Sequence, residues 1–327
     1  MKTTVPHTAL AFIATLMLFL FASCEHKDLC YRHPHVQNVL LVFDWRHISN
    51  VPGAMRVFFY PVNNSRRTAP YVFDISSATA AEGTEILVEE GIYHVVSFNI
   101  DTENILYRNE NILSEFEVYT QERMLTLNAR KDNRVVTRSL PLVGTPDWMC
   151  RASSEEVRIG HAQDEGPVRI VLTPRPAVSK FICEIRGVKN LQYVKSVVGT
   201  LSGVAGSLFM GTGMLPTVSS IVHFDMQIKD NLLTGDFLLF GLHSPLMEAD
   251  KNILTLYFRT EVGVRSVSFD VSDRIEIEED KGQYFIKANV IIDADIDLPS
   301  PIVSDEGGIA VDAEEWDAIY IDIDMNI

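Results

Sequence analysis

Short runs of Val, Ile, Leu, Phe and Tyr recur along this chain, each bounded by Gly, Pro, Asn or Asp. Such runs either alternate with period two or stay apolar for too few residues to make a helix, so they read as β-strands. VLLVFDW (39 to 45), MRVFFYPV (55 to 62), YVFDI (71 to 75), TEILVE (84 to 89) and YHVVSFN (93 to 99) form a first group. A second group holds VRIVLTPRPAVSKFICEIRGV (168 to 188), HFDMQI (223 to 228), DFLLFGL (236 to 242), ILTLYFRTE (253 to 261), RSVSFDVS (265 to 272) and FIKANVIIDADIDL (285 to 298). Glu89-Glu90-Gly91 reads as the tight turn of a hairpin. Residues 128 to 168 carry turn formers and charges without sustained periodicity, and LQYVKSVVGTL (191 to 201) is ambiguous between helix and strand. The pattern predicts an all-β chain, built as two tandem β-sandwich domains over 39–160 and 161–327. With 327 residues and 46% hydrophobic residues, the chain can fill both cores.

The N-terminus follows a different rule. Ala9 to Ala22 is apolar apart from Thr15, too short to span a bilayer and placed where the h-region of a signal peptide belongs. Phe21-Ala22-Ser23-Cys24 then resembles a bacterial lipobox, with small residues where a peptidase must reach the bond and a thiol free for acylation. The resemblance implies a lipoprotein signal peptide over 1–23, lipidation at Cys24, and an acylated tether over 24–38 held to outer-membrane lipid through its N-terminal acyl chains. Ordinary secretory cleavage is the alternative. EHKD (25 to 28) is similar to the charged tag that sends lipoproteins to the cell surface, or is simply a solvated tether.

A formal charge of -16 opposes a broad basic face, so nucleic acid is excluded as a first expectation. Eleven acidic residues and no Lys or Arg lie between Asp293 and Ile327. The last residues alternate: Ile319, Ile321, Ile323, Met325 and Ile327 on one face, Tyr320, Asp322, Asp324 and Asn326 on the other. This segment is a candidate for strand exchange, and equally for a terminal strand within the chain. With Cys24 modified, at most one bridge can form among Cys30, Cys150 and Cys183, and Cys183 in KFICEI reads as a small buried hydrophobe.

Catalytic and ligand motifs do not close. Gly206 and Gly211 have phosphate-loop spacing, but Thr212 stands where Lys is needed and Pro216 where a dinucleotide loop needs glycine. Asp293, Asp295 and Asp297 alternate like calcium ligands, yet Leu298 and Ser304 occupy the required Gly and Glu positions. His26, Cys30, His33 and His35 match no closed metal site. Glu89-Glu90 and Glu314-Glu315 need not converge, and no hydrolase elbow occurs, so neither an enzyme nor a cofactor or metal is expected. Trp45 is expected in a core, whereas Trp148 and Trp316 could stack on sugars.

The lipobox, CEHKDLCYRHPH running into VLLVFDW, the stretch EEGIYHVVSFN, GTLSGVAGSLFMGTG and the ending VDAEEWDAIYIDIDM occur here in one order. Together they resemble an uncharacterised lipoprotein family of the Bacteroidota, domain of unknown function 5119, similar to the anchor subunits of type V fimbriae. The resemblance implies two transthyretin-like sandwiches, an outer-membrane surface location, fimbrial subunits as partners, and a structural, anchoring or adhesive role by β-strand complementation. The alternative is a surface lipoprotein that binds glycans or host ligands without polymerising.

Overall fold

The computed structural model describes residues 36–62, 68–80, 82–131, 134–160, 166–243, 251–261, 263–280 and 285–299. Among these residues helix is limited to Ser77–Ala80 and one 3-10 turn, Leu191–Tyr193. The rest is sheet and connection, as the apolar runs predict.

In the first half, β1 (Val36–Phe43) lies between β4 (Thr84–Glu89) and β11 (Val168–Leu172) in a three-stranded sheet. This sheet faces a five-stranded one ordered β12 (Arg175–Pro176), β10 (Cys150–Ile159), β5 (Gly91–Asn99), β2 (Ala54–Pro61) and β3 (Tyr71–Ser76). Alternate residues of both sheets close the first core: Val39, Leu41 and Phe43 of β1 and Ile170 and Leu172 of β11 meet Val57, Phe59 and Tyr93. β11 runs parallel to β1, from Val39 opposite Val168 to Phe43 opposite Leu172.

The five-stranded sheet is also covered on its other face. Phe58, Tyr60, Val96 and Phe98 point away from the first core and join Phe116, Val118, Met149, Leu208, Met210 and Phe240 in a second apolar cluster. The burial of both faces explains why VFFY in β2 and VVSF in β5 read as continuous apolar runs. A small sheet caps this cluster, ordered β15 (Ser207–Phe209), β7 (Glu117–Tyr119) and β6 (Leu106–Arg108).

The second half is a further sandwich. Its strands run β19 (Gly263–Asp270), β18 (Ile253–Thr260), β14 (Val194–Val204), β16 (Ser220–Lys229), β17 (Leu232–Leu239), β13 (Ser179–Lys189), β21 (Phe285–Asp297) and β20 (Glu276–Asp280). β16 belongs to both layers, pairing with β14 through Met226 and with β17 from Gln227 onward. Phe181, Cys183, Leu201, Phe224, Leu233, Leu256, Phe258, Val290 and Ile292 fill the space between the layers. Gly199 and Gly235 leave room for the Phe224 ring, which stacks on Phe237 at 3.9 Å.

Two expectations are corrected and one ambiguity is resolved. Glu89-Glu90-Gly91 is no hairpin turn, because β4 and β5 belong to different sheets and the chain crosses the sandwich at this corner. The aperiodic stretch 128 to 168 holds most of the hairpin β8 (Glu122–Lys131) with β9 (Arg134–Val143), and all of β10, a central strand. LQYVKSVVGTL is the 3-10 turn followed by β14.

Cys150 and Cys183 are unbridged and buried in the first and last cores respectively. Burial pushes each thiol up to about 12. Neither thiol should therefore react with iodoacetamide at pH 8 until the fold opens, which peptide mass spectrometry of native and urea-treated protein would reveal. Gly187 sits at a bulge of β13 with φ +76°, and an added Cβ would collide with the Ala294 carbonyl oxygen. Gly187→Ala is expected to destabilise the protein by more than ~2 kcal/mol in urea titration, since neither strain nor a backbone clash can relax cheaply.

Candidate functional site

A groove of about 640 Å³ opens where the end of the five-stranded sheet approaches the last sandwich. One side carries Arg151, Ala152 and Ser153 of β10 with Arg175 and Pro176 of β12. The other side carries Ile277 of β20 with Ile286 and Ala288 of β21, and Leu215 and Leu239 to Leu242 complete it. Ile277 and Ile286 are 65% and 45% exposed, so apolar surface faces open space in the groove. Among the described residues β12 and β20 are edge strands of their sheets, and β20 pairs only with β21. An edge beside an apolar groove presents unpaired backbone groups together with a surface that rewards burial, the two requirements for strand addition.

Arg151 is the notable polar group. Its Nη2 donates to the Met210 carbonyl at 2.9 Å, while Nε is buried without a hydrogen-bond partner. Burial pulls the guanidinium below the usual arginine range, and no carboxylate partner is found among the described residues. A guanidinium partly withdrawn from water in this way is a favourable place for an acceptor or an anion. Gly213, with φ +72°, makes space for this side chain: a Cβ there would lie 2.6 Å from Nη1. Arg175 stands directly across the β10–β12 pair from Arg151.

The small sheet beneath the groove fixes the Met210 carbonyl. Arg108 Nε donates to Glu117 Oε2 at 2.6 Å, and the Ser207 hydroxyl donates to Glu117 Oε1, tying β6, β7 and β15 together. Burial alone would push the Glu117 carboxyl up, but Arg108 and Ser207 outweigh it and hold the group below the usual carboxylate range. Met210 N in turn donates to the Phe116 carbonyl at 2.8 Å.

Several residues singled out in the sequence lie elsewhere. Cys24, Ile319, Ile321, Ile323, Met325 and Ile327 fall outside the described residues, as do His26, Cys30, His33, His35, Glu314, Glu315 and Trp316. Trp45 is half-buried against the first core and stacks on Phe43 at 5.2 Å, and Trp148 is half-buried between two clusters. Asp293, Asp295 and Asp297 are exposed on β21, where Asp295 pairs with Lys189 at 3.0 Å and Asp297 accepts from Asn190 at 3.0 Å. Arg151 and the groove were not legible in the sequence, because RAS within a polar stretch gives no local sign of burial.

A family model described as Domain of unknown function (DUF5119) matches residues 23–225. A candidate fimbrium anchoring subunit of Bacteroides ovatus, Fim4B, is 26% identical over 236 residues, which cover 72% of this chain and 66% of that relative. The chain thus spans a little under two thirds of that relative's length. A crystal structure of a candidate adhesin from Bacteroides ovatus aligns with a TM-score of 0.62 at 22% identity, covering 83% of this chain and 95% of that one. That likeness concerns the fold.

Removing the support beneath the groove should be measurable. Arg108→Ala strands the Glu117 carboxylate and is expected to cost about 2 to 3 kcal/mol at pH 7, less than for a fully buried pair because Arg108 is 40% exposed. Because the folded-state value of Glu117 lies below the ordinary 4.5, its contribution is present above about pH 4.5 and fades as the pH falls further. Urea titrations of wild type and Glu117→Gln should therefore differ at pH 7 and converge near pH 3.

Proposed function

Starting from the fact that this chain belongs to the family of Domain of unknown function DUF5119, we propose that it is a cell-surface lipoprotein that serves a fimbria-like assembly as an anchoring or adhesive subunit. The observation that carries this reading is the alignment of 72% of the chain with the candidate fimbrium anchoring subunit Fim4B. The groove beside β20, an edge strand among the described residues, supports it physically, since a strand added there gains both backbone hydrogen bonds and apolar contact.

In this reading the chain is organised as a signal peptide over 1–23, an acylated tether over 24–38, and two successive sandwiches over 39–160 and 161–327, with β11 lent back to the first. Cys24 carries the acyl chains that hold the protein to outer-membrane lipid, and two or more chains make the attachment durable. The alternating segment Ile319 to Ile327 is the strand exchanged on assembly, and the partners are fimbrial subunits. The sugar-stacking alternative gains no support from Trp45 or Trp148, whose indoles are half-buried against the cores.

Two measurements test this reading. Metabolic labelling with palmitate should mark the wild type and leave Cys24→Ala unlabelled; equal labelling of both would remove the lipid anchor. Deleting residues 319 to 327 should abolish co-purification with polymeric surface fibres while membrane attachment persists. Fibres that retain the shortened chain at wild-type levels would overturn the strand-exchange role.

A further inference from the structure

The groove imposes a condition on whatever enters it. Arg151 and Arg175 stand directly opposite each other across antiparallel strands on one side, so this side of the groove carries positive charge. The opposite side offers Ile277, Ile286 and Ala288. A matching occupant is an extended segment with aliphatic residues on one face and carboxylates on the other.

Within this chain that pattern occurs at Ile319 to Ile327, where Ile319, Ile321, Ile323, Met325 and Ile327 oppose Asp322 and Asp324, and no Lys or Arg lies beyond Lys287. The similar alternation at Asp293 to Asp297 is already used within β21. Nineteen residues, 300 to 318, separate the end of the described chain from this segment. Fully extended they reach roughly 60 Å, ample for a return to the groove. A linker of that length holds the segment at an effective concentration on the order of millimolar, well above that of a second copy in a dilute sample.

We propose, resting on the strand-exchange reading above, that in the free chain the groove is capped by the chain's own Ile319 to Ile327 segment, selected by the pairing of Arg151 with its Asp322 and Asp324 face. Assembly then requires displacement of this cap, so Arg151 sets which strands can enter: an acidic strand competes, and a neutral or basic one does not.

The test places the photoreactive residue p-benzoylphenylalanine at position 286 of the full-length chain, in a dilute equal mixture of normal and nitrogen-15 labelled protein. After irradiation, cleavage at aspartate and mass spectrometry should locate crosslinks in residues 319 to 327 without mixed-isotope pairs. Asp322→Asn with Asp324→Asn, which leaves the groove untouched, should lower the yield about tenfold, as should Arg151→Gln, whereas Arg151→Lys should retain much of it. Mixed-isotope pairs, crosslinks elsewhere, or a yield indifferent to the two aspartates would each overturn the proposal. Its failure is separable from that of the strand-exchange reading: loss of fibre association on deleting 319 to 327 can persist when no self-crosslink forms, and the reverse can also occur.

Discussion

Burial of both faces of the five-stranded sheet is the constraint on which the rest of this structure depends. A sheet in an ordinary sandwich has one wet face, but here β2 and β5 are covered by the first core on one side and by Phe116, Met149, Met210 and Phe240 on the other. Each large side chain so buried contributes about 1.5 to 3 kcal/mol relative to exposure. The second cluster draws on β2, β5, β7 and β15 and on Val178 and Phe240, so its loss would uncouple segments distant in sequence. The groove exists at the margin of this cluster, and its lining inherits the cluster's rigidity through Leu208 and Phe240.

Strands with a simple relation to solvent were legible in the sequence. The alternating runs at β4 and β21, and the unbroken ones at β2 and β5, gave their positions to within a few residues. What local pattern could not express was partnership. TEILVE and GIYHVVSFN are separated by a single residue, yet they lie in opposite sheets, because the apolar faces of both are satisfied only when the chain turns across the core rather than back on itself. β10 escaped notice for another reason: its Ser153 to Arg158 portion is polar and partly exposed, and a bulge between Ser154 and Val157 breaks its alternation. The candidate groove was not legible, since Arg151 acquires its character from neighbours remote in sequence.

The polar groups of the groove region form a hierarchy of support. Glu117 is held by Arg108 and Ser207, the small sheet so fixed presents the Met210 carbonyl, and that carbonyl orients Arg151. A guanidinium placed by such a chain has few alternatives in geometry, and a carboxylate approaching it gains a bond without the usual loss of side-chain freedom.

The parallel pairing of β1 with β11 has a mechanical consequence. Force applied at residue 36, where the chain enters β1, and borne beyond residue 172, where it leaves β11, pulls the two strands from opposite ends. Their five aligned residue pairs, Val39 with Val168 through Phe43 with Leu172, are then loaded together in shear rather than peeled one at a time. Resistance to such a pull is set by the rate of the first rupture, not by overall stability, so this short pair can act as the fuse of a protein under tension.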